Sequence, residues 1–258
     1  MEVKKYLSRI GVDGDNIPAP GYELLKMLQY NHVLTVPYEN LDIISGKALS
    51  LELEDVYKKV VTDGRGGYCF ELNRLFEWLL CELGFKTESY SARFWRGESG
   101  IPQRRHRVIA AFIEGKTYIS DVGIGSPAPR IPLLLEEGTV QEFFGESYRF
   151  ERDSEFGWVL YELSHGEWRR YFSFTEDKAQ EIDFVMPSFY CEKHPDSKFN
   201  KSLMVAIKTA EGRKSIDGNV YKEFVGNKLS LIKENISDKR LSEILKSEFG
   251  LTVKNDKL

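Results

Sequence analysis

The chain has 258 residues, 41% of them hydrophobic and 29% charged, which is enough apolar material for one large core or two to three smaller ones. Its 36 basic and 40 acidic side chains nearly cancel to a net charge of -4, which excludes a strong pull toward nucleic acid or an anionic membrane and favours a small ligand. No apolar run approaches the roughly 18 residues needed to span a bilayer, and the opening stretch MEVKKYLSRIGVDGD lacks a signal-peptide core, so a cytoplasmic protein is expected.

Apolar residues at three- and four-residue spacing predict helices over Tyr22 to Tyr30 (YELLKMLQY) and Leu51 to Val61 (LELEDVYKKVV). The clearest helix runs from about Cys69 to Leu83, where Leu72, Leu75, Phe76, Leu79, Leu80 and Leu83 form one stripe and Gly84 supplies the stop. From Phe85 to about Phe174 the pattern changes to strands: FKTESYSARFW, HRVIAAFIEGKTYISDVGIG, SYRFER and FGWVLYELSHGEWRRYFSF. After the segment HPDSKF (His194 to Phe199) come short strands at Leu203 to Lys208, Arg213 to Ile216, Val220 to Phe224 and Leu229 to Lys233. A last helix is expected over Ser237 to Phe249, with Ser237 as N-cap, Leu241, Ile244 and Leu245 on one face, and Gly250 at its end. The reading is an α+β chain in three parts, residues 1–84, 85–190 and 191–258, packed as one body.

Three cysteines cannot all pair, and a reducing compartment would keep them as thiols. There is no paired CxxC, HExxH, GxxxxGK[ST] or GxGxxG, so neither a metal nor a nucleotide fold is expected. Cys81, inside WLLCELGF, reads as a small buried hydrophobe, and Cys191 is open to either reading. Cys69 differs because it follows the glycine-rich turn DGRGG and begins a helix, whose unpaired N–H groups and partial positive charge favour thiolate over thiol.

A base has to come from four histidines. His32 and His165 read as cap or turn residues and His194 as a loop residue. His106 begins the strand HRVIAAFI, whose partner KTYIS leads into Asp121. If Glu114-Gly115 is a two-residue turn, Ile113 pairs with Lys116 and Val108 with Asp121, which sets Asp121 one diagonal step from His106 on the same face. Cys69, His106 and Asp121 together fit acyl transfer through a covalent thioester, with His106 taking the thiol proton and Asp121 fixing the imidazole tautomer. Proteases, transglutaminase-like enzymes and acetyltransferases all use such a set. The neighbouring Arg104, Arg105 and Arg107 read first as the solvated start of a strand, with phosphate binding as the alternative.

The motifs VPYENL (Val36 to Leu41), RGGYCFELN (Arg65 to Asn73), His106, YISDVGIG (Tyr118 to Gly125) and HPDSKF, in that order and spacing, resemble the arylamine N-acetyltransferases over nearly the whole chain. The resemblance implies an N-terminal helical bundle carrying Cys69, a central β-barrel carrying His106 and Asp121, and a C-terminal α/β lid, with a cysteine-protease-like core. It also implies acetyl-coenzyme A as donor, an arylamine, hydrazine or arylhydroxylamine as acceptor, and a ping-pong cycle. By the same resemblance Gly123, Gly125 and Ser126 belong to a loop beside the donor cleft, and Tyr38, where the family usually has Phe, lines the amine pocket. Glu39 and Arg65 are expected to form a buried ion pair bracing the turn before Cys69. Ile124 stands where the family commonly has an aromatic, and Tyr190-Cys-Glu-Lys replaces the usual lead into His194-Pro195. A cysteine hydrolase, an amide synthase using a larger acyl thioester, and a binding module with an inert triad are the competing readings.

Overall fold

The computed structural model describes residues 1–125 and 128–252. The first third is helical: α1 (Val3–Arg9), α2 (Tyr22–Thr35), α3 (Leu41–Ile44), α4 (Leu53–Tyr57), which runs on into a π turn at Lys58–Thr62, and α5 (Cys69–Glu82). The α5 stripe is buried as its spacing predicts, with Leu72, Leu75, Phe76, Leu79 and Leu80 packed against Leu24, Leu25 and Leu28 of α2, Tyr6 and Leu7 of α1, and Ile10 just past the end of α1. Gly84, just past the helix, has φ +89°, the left-handed conformation that ends a helix most cheaply on glycine.

A two-residue strand, β1 (Tyr38–Glu39), precedes the long strand region. There, β2 (Lys86–Phe94), β3 (His106–Ile113), β4 (Lys116–Ser120), β5 (Leu133–Leu134), β6 (Gln141–Phe143), β7 (Glu146–Asp153), β8 (Gly157–Ser164) and β9 (Glu167–Lys178) form one sheet, ordered β5-β4-β3-β2-β9-β8-β7-β6. The outer strands approach each other through a side chain. The Leu134 N–H donates to Gln141 Oε1 at 2.7 Å and Gln141 Nε2 donates to the Leu134 carbonyl at 2.9 Å, so an amide side chain stands in for the missing ladder and the sheet nearly closes as a barrel. Aromatic side chains fill its interior, among them Tyr90, Phe150, Trp158, Phe172 and Phe174.

Helix α6 (Val185–Lys193) follows, and the sequence does not announce it: it is short, and Pro187 reads as a breaker. Pro187 sits in the first turn of the helix, which a 3-10 turn at Glu181–Phe184 leads into, so the proline lies near the start and does not interrupt the helix body. The lid comes last. Strands β10 (Met204–Lys208), β11 (Gly212–Asp217), β12 (Val220–Val225) and β13 (Lys228–Lys233) make an antiparallel sheet that β1 completes, Tyr38 pairing with Ala206. Helix α7 (Asp238–Phe249) covers one face, setting Leu241, Ile244, Leu245 and Phe249 against Val205, Ile216 and Tyr221. None of the described helices is long and apolar enough to cross a membrane.

Three expectations are corrected here. Cys81 is exposed, its sulfur 3.3 Å from Thr87 Oγ1, because it lies off the α5 stripe. Arg107 is not solvated. Strand β3 is covered on both faces, so the guanidinium is buried, reaches Glu77, Glu181 (2.7 Å) and Ser89 Oγ (2.8 Å), and lies over the Phe184 ring. His32 is neither cap nor turn residue: it is fully buried in the last turn of α2, with Nδ1 3.0 Å from the Tyr6 hydroxyl and its ring against Phe76. Burial, and then the nearby Arg9 charge, push the His32 pKa down to about 3.

A folded-state pKa below the unfolded value means that the unfolded chain takes up a proton first as pH falls. Stability is therefore lost below the unfolded value of 6.5 and continues to fall toward about 3. Urea unfolding at about pH 7 and about pH 5 should show a drop approaching 1.4 kcal/mol per pH unit from this group, and His32→Gln should remove that component. An unchanged pH slope in the variant would mean that His32 is protonated in the folded protein.

Candidate active site

Cys69 is the first residue of α5, preceded by Tyr68 in extended conformation. The turn before it is built on close backbone approach. A side chain at Gly66 would place its Cβ 2.0 Å from the Pro37 carbonyl oxygen, and the room left by glycine lets the Glu39 N–H donate to the Gly67 carbonyl at 2.8 Å. The helix start is fixed from inside by Glu71, whose carboxylate accepts the Tyr68 N–H at 3.0 Å. The Cys69 thiol points inward, 3.8 Å from the carbonyl oxygen of Arg105.

His106 and Asp121 meet through the hairpin that their spacing predicts. Glu114 and Gly115 form the turn at φ +50° and +76°, and the ladder runs from Ile113–Lys116 to Ile109–Ser120, so Asp121 leaves β4 beside His106. Nε2–H of His106 donates to Asp121 Oδ2 at 2.6 Å, both side chains being buried. The second carboxylate oxygen accepts Asn73 Nδ2 at 2.9 Å and the Gly123 N–H at 2.8 Å. Asn73, one turn into α5, also donates to the Arg107 carbonyl at 2.6 Å and accepts the Val122 N–H at 2.9 Å. One amide thus ties the nucleophile's helix to both the histidine strand and the aspartate loop. With Nε2 committed to Asp121, Nδ1 is the nitrogen of His106 that can exchange a proton across the cleft lined by both His106 and Cys69.

The expectation of a lowered thiol pKa needs correction. Burial pushes the Cys69 thiol well up, with Cys191 and Asp121 adding to it, and the Phe70 N–H opposes them only in part. A lone thiolate here is disfavoured. His106, held to Asp121 at 2.6 Å, lines the same cleft as this sulfur.

Beneath the turn lies a buried ion network larger than the Glu39–Arg65 pair. Arg65 reaches Glu39 at 2.6 Å and Asp42 at 3.3 Å, and Lys59 reaches Asp42 and Glu71, each at 2.9 Å. Burial works against the Lys59 ammonium, but Glu71, Glu39 and Asp42 overcome it and raise its pKa. Burial likewise opposes the Asp42 carboxylate, but Lys59, Arg65 and Lys47 together outweigh it and leave that pKa lowered.

The cleft itself encloses about 490 Å³. Tyr38, Phe94, Ile124, Phe199 and Met204 give it an apolar wall beside Cys69. Gly123 and Gly125 are explained first by packing: a Cβ at Gly123 would lie 2.7 Å from the Cys69 Cα, and one at Gly125, where φ is +78°, 2.9 Å from the Tyr38 Cβ. Gly123 nonetheless lines the cleft, whereas Ser126 lies outside the described residues. Of the arginine cluster, Arg105 lines the cleft and pairs with Glu98 at 3.1 Å. The lid presents three cross-strand pairs to the cavity, Arg213–Phe224, Ser215–Lys222 and Asp217–Val220, as the two-residue period of β11 and β12 requires. Arg96, Arg213 and Lys222, like Asn73, Asp42 and Lys59, were not picked out as site residues from the sequence. Alternating polar residues on β11 and β12 were the signal available for the lid positions.

A protein-family model described as N-acetyltransferase matches residues 22–258. The chain is 35% identical to an arylamine N-acetyltransferase of Mycolicibacterium smegmatis, over 84% of this chain and 80% of that one. It is 30% identical to an arylamine N-acetyltransferase of Escherichia coli, over 98% of this chain and 89% of that one. Among solved structures, the Salmonella typhimurium enzyme superposes with a TM-score of 0.92 at 27% identity, covering 99% of this chain and 93% of that chain. The Mycobacterium marinum enzyme in complex with coenzyme A superposes with a TM-score of 0.89 at 29% identity, covering 96% and 92%.

Removing one partner from the network should cost more than removing two. Arg65→Met leaves the buried Glu39 carboxylate with Lys59 at 3.9 Å and is expected to lower the unfolding free energy by about 3 to 5 kcal/mol. Glu39→Gln with Arg65→Met should recover part of that loss. Additive losses in a urea double-mutant cycle would show that the two side chains are not coupled.

Proposed function

The chain belongs to the arylamine N-acetyltransferase family and transfers acetyl groups to arylamines, and from that premise we propose that Cys69, His106 and Asp121 carry the transfer in two half-reactions. The observation that supports this reading is the 2.6 Å contact between His106 Nε2 and Asp121 Oδ2 at the cleft that Cys69 lines. His106 Nδ1 takes the thiol proton as the Cys69 sulfur attacks the acetyl carbonyl of acetyl-coenzyme A. The developing oxyanion is held by backbone N–H groups that include that of Cys69, at the helix N-terminus. The bond to the coenzyme A sulfur breaks, and that sulfur leaves with the proton from His106. The arylamine, hydrazine or arylhydroxylamine then attacks acetyl-Cys69, His106 removes the amine proton, and the Cys69 thiol is restored. Thioester exchange is nearly neutral by bond type, and forming the amide makes the cycle downhill.

Acetyl-coenzyme A needs an apolar passage for its pantetheine arm and cations for its phosphates, and the cleft offers both. Ile124, Phe199 and Met204 would flank the arm, while Arg96, Arg105, Lys198, Arg213 and Lys222 would serve the anionic end. Tyr38 would meet the acceptor ring and bring a hydroxyl to it. In this reading residues 1–84 supply the nucleophile, 85–190 the base and its carboxylate, and 191–258 the lid, with the reaction in the cytoplasm, where the thiols of Cys69, Cys81 and Cys191 stay reduced.

Intact mass spectrometry after acetyl-coenzyme A treatment should show a gain of about 42 Da on the wild type and none on Cys69→Ala, and an aniline or hydrazide chase should discharge it. Absence of the adduct on the wild type would sink the thioester route. Asp121→Asn should fold yet lose roughly 100-fold or more in the acetylation rate, through the wrong imidazole tautomer, and near-normal turnover would remove Asp121 from the set.

A further inference from the structure

The lid is joined to the barrel by a clasp of charged side chains far along the chain from Cys69. Arg130 ends the segment that begins at Asp121, and its guanidinium is 3% exposed. It crosses to the β10–β11 turn, where Nη1 donates to the Thr209 carbonyl and Nη2 to the Gly212 carbonyl, each at 2.7 Å. Those are the two residues that close the turn on each other, Thr209 N to the Gly212 carbonyl at 3.0 Å and Gly212 N to Thr209 Oγ1 at 2.9 Å. Arg130 Nε also lies 3.5 Å from Glu146 Oε1 on β7, and the same carboxylate pairs with Lys208, the last residue of β10, itself 3% exposed. Two buried cations and one carboxylate therefore fasten the tip of one lid hairpin to the barrel. A further contact, Asn227 Nδ2 to the Gly145 carbonyl at 3.4 Å, is long and exposed.

What hangs from this clasp is the donor side of the cleft. Strand β11 leaves the clasped turn directly into Arg213, Ser215 and Asp217, which face the cavity beside their β12 partners. Earlier along β10 the sheet is held by β1, which pairs with Val205 and Ala206, by Asn40 Nδ2 to the Phe199 and Ser202 carbonyls at 2.7 and 2.8 Å, and by the Met204 N–H to Asn40 Oδ1 at 2.7 Å, so both ends of β10 are tied down. Fixed at both ends, the lid keeps one height above the cleft. Released at the Arg130 end, it can pivot about β1 and carry Arg213 and Lys222 away while Cys69, His106 and Asp121 stay in place, since Asn73 and Gly123 hold those residues from within.

We propose that Arg130, with Glu146 and Lys208, is a positioning element that sets the lid for acyl-donor binding without taking part in the chemistry; this rests on the acetyl-transfer reading above. The guanidinium suits the task because its rigid planar fork presents two N–H donors in a fixed geometry to two carbonyls, whereas a lysine ammonium is a compact point charge on a flexible stem.

The test follows acetylation of Cys69 in a single turnover, by intact mass, against acetyl-coenzyme A concentration. Arg130→Met should raise the half-saturating concentration about tenfold while the limiting acetylation rate stays within about twofold. Arg130→Lys should fall between variant and wild type, and Glu146→Gln should shift in the same direction. Alkylation of Cys69 by iodoacetamide, which needs no donor site, should keep its wild-type rate, and hydrogen exchange should quicken at the β10–β11 turn and not in α5. A lowered limiting rate with unchanged half-saturation, or no shift in Arg130→Lys and Glu146→Gln should Arg130→Met fail to fold, would overturn the inference. If the wild type forms no adduct, the acetyl-transfer reading falls and takes this one with it; an adduct on the wild type with no shift in the variants rejects the clasp alone.

Discussion

The site depends on one side-chain amide. Cys69, His106 and Asp121 come from a helix, a strand and a loop; the β3–β4 hairpin brings the last two together, but nothing in the chain's connectivity requires the helix and that hairpin to converge. Asn73 makes them do so, because its donor and acceptor ends are bonded to the Asp121 carboxylate, the Arg107 carbonyl and the Val122 N–H at 2.9 Å or less. It lies one turn along α5 from Cys69, so the helix cannot shift along its axis without breaking all three bonds. The same constraint explains Gly123, whose backbone packs against the Cys69 Cα too closely for any side chain.

Burial gives this geometry its chemical consequence. Water is kept from the sulfur, so a thiolate standing alone there is disfavoured. The Asp121 carboxylate accepts hydrogen bonds from Asn73 and the Gly123 N–H on one oxygen and holds the His106 ring with the other. Under the turn, three acids and two bases give the opposite case, a set of buried side chains of opposite sign held in ion pairs. Such networks do little for stability compared with an apolar core, but they fix a conformation well, and the turn ahead of Cys69 has few apolar side chains with which to do so.

Much of this was legible in the chain. The α5 stripe and its Gly84 stop, the Glu114-Gly115 hairpin register and the lid strands all follow from spacing and turn residues, because each is a local property. Tertiary burial was less visible. His32 and Arg107 look like surface residues by type, and only the layers packed over them, Phe76 on one and Phe184 on the other, take them out of water. Helix α6 was missed because its apolar residues do not all face the core, Val185, Met186 and Phe189 being exposed, so its pattern carries no clear period. Asn73 sits within a motif that marked the site, yet an asparagine on a helix has no spacing that names its partners 34 and 48 residues away.

The two-residue strand β1 shows how nucleophile and lid are made to answer to each other. Tyr38 pairs with Ala206 on one side and bridges to Gly67, two residues before Cys69, on the other. Its ring meanwhile lines the cleft, and its Cβ leaves no space for a side chain at Gly125. A displacement of the lid at this edge is therefore transmitted through backbone hydrogen bonds to the glycine turn rather than through a flexible side chain. At the β10–β11 turn the fastening is made by ion pairs and carbonyl contacts instead, from side chains rather than a backbone ladder. The lid is thus fastened in two ways, by a hydrogen-bonded ladder along β1 that keeps register with the turn before the sulfur and by charged side chains at the β10–β11 turn.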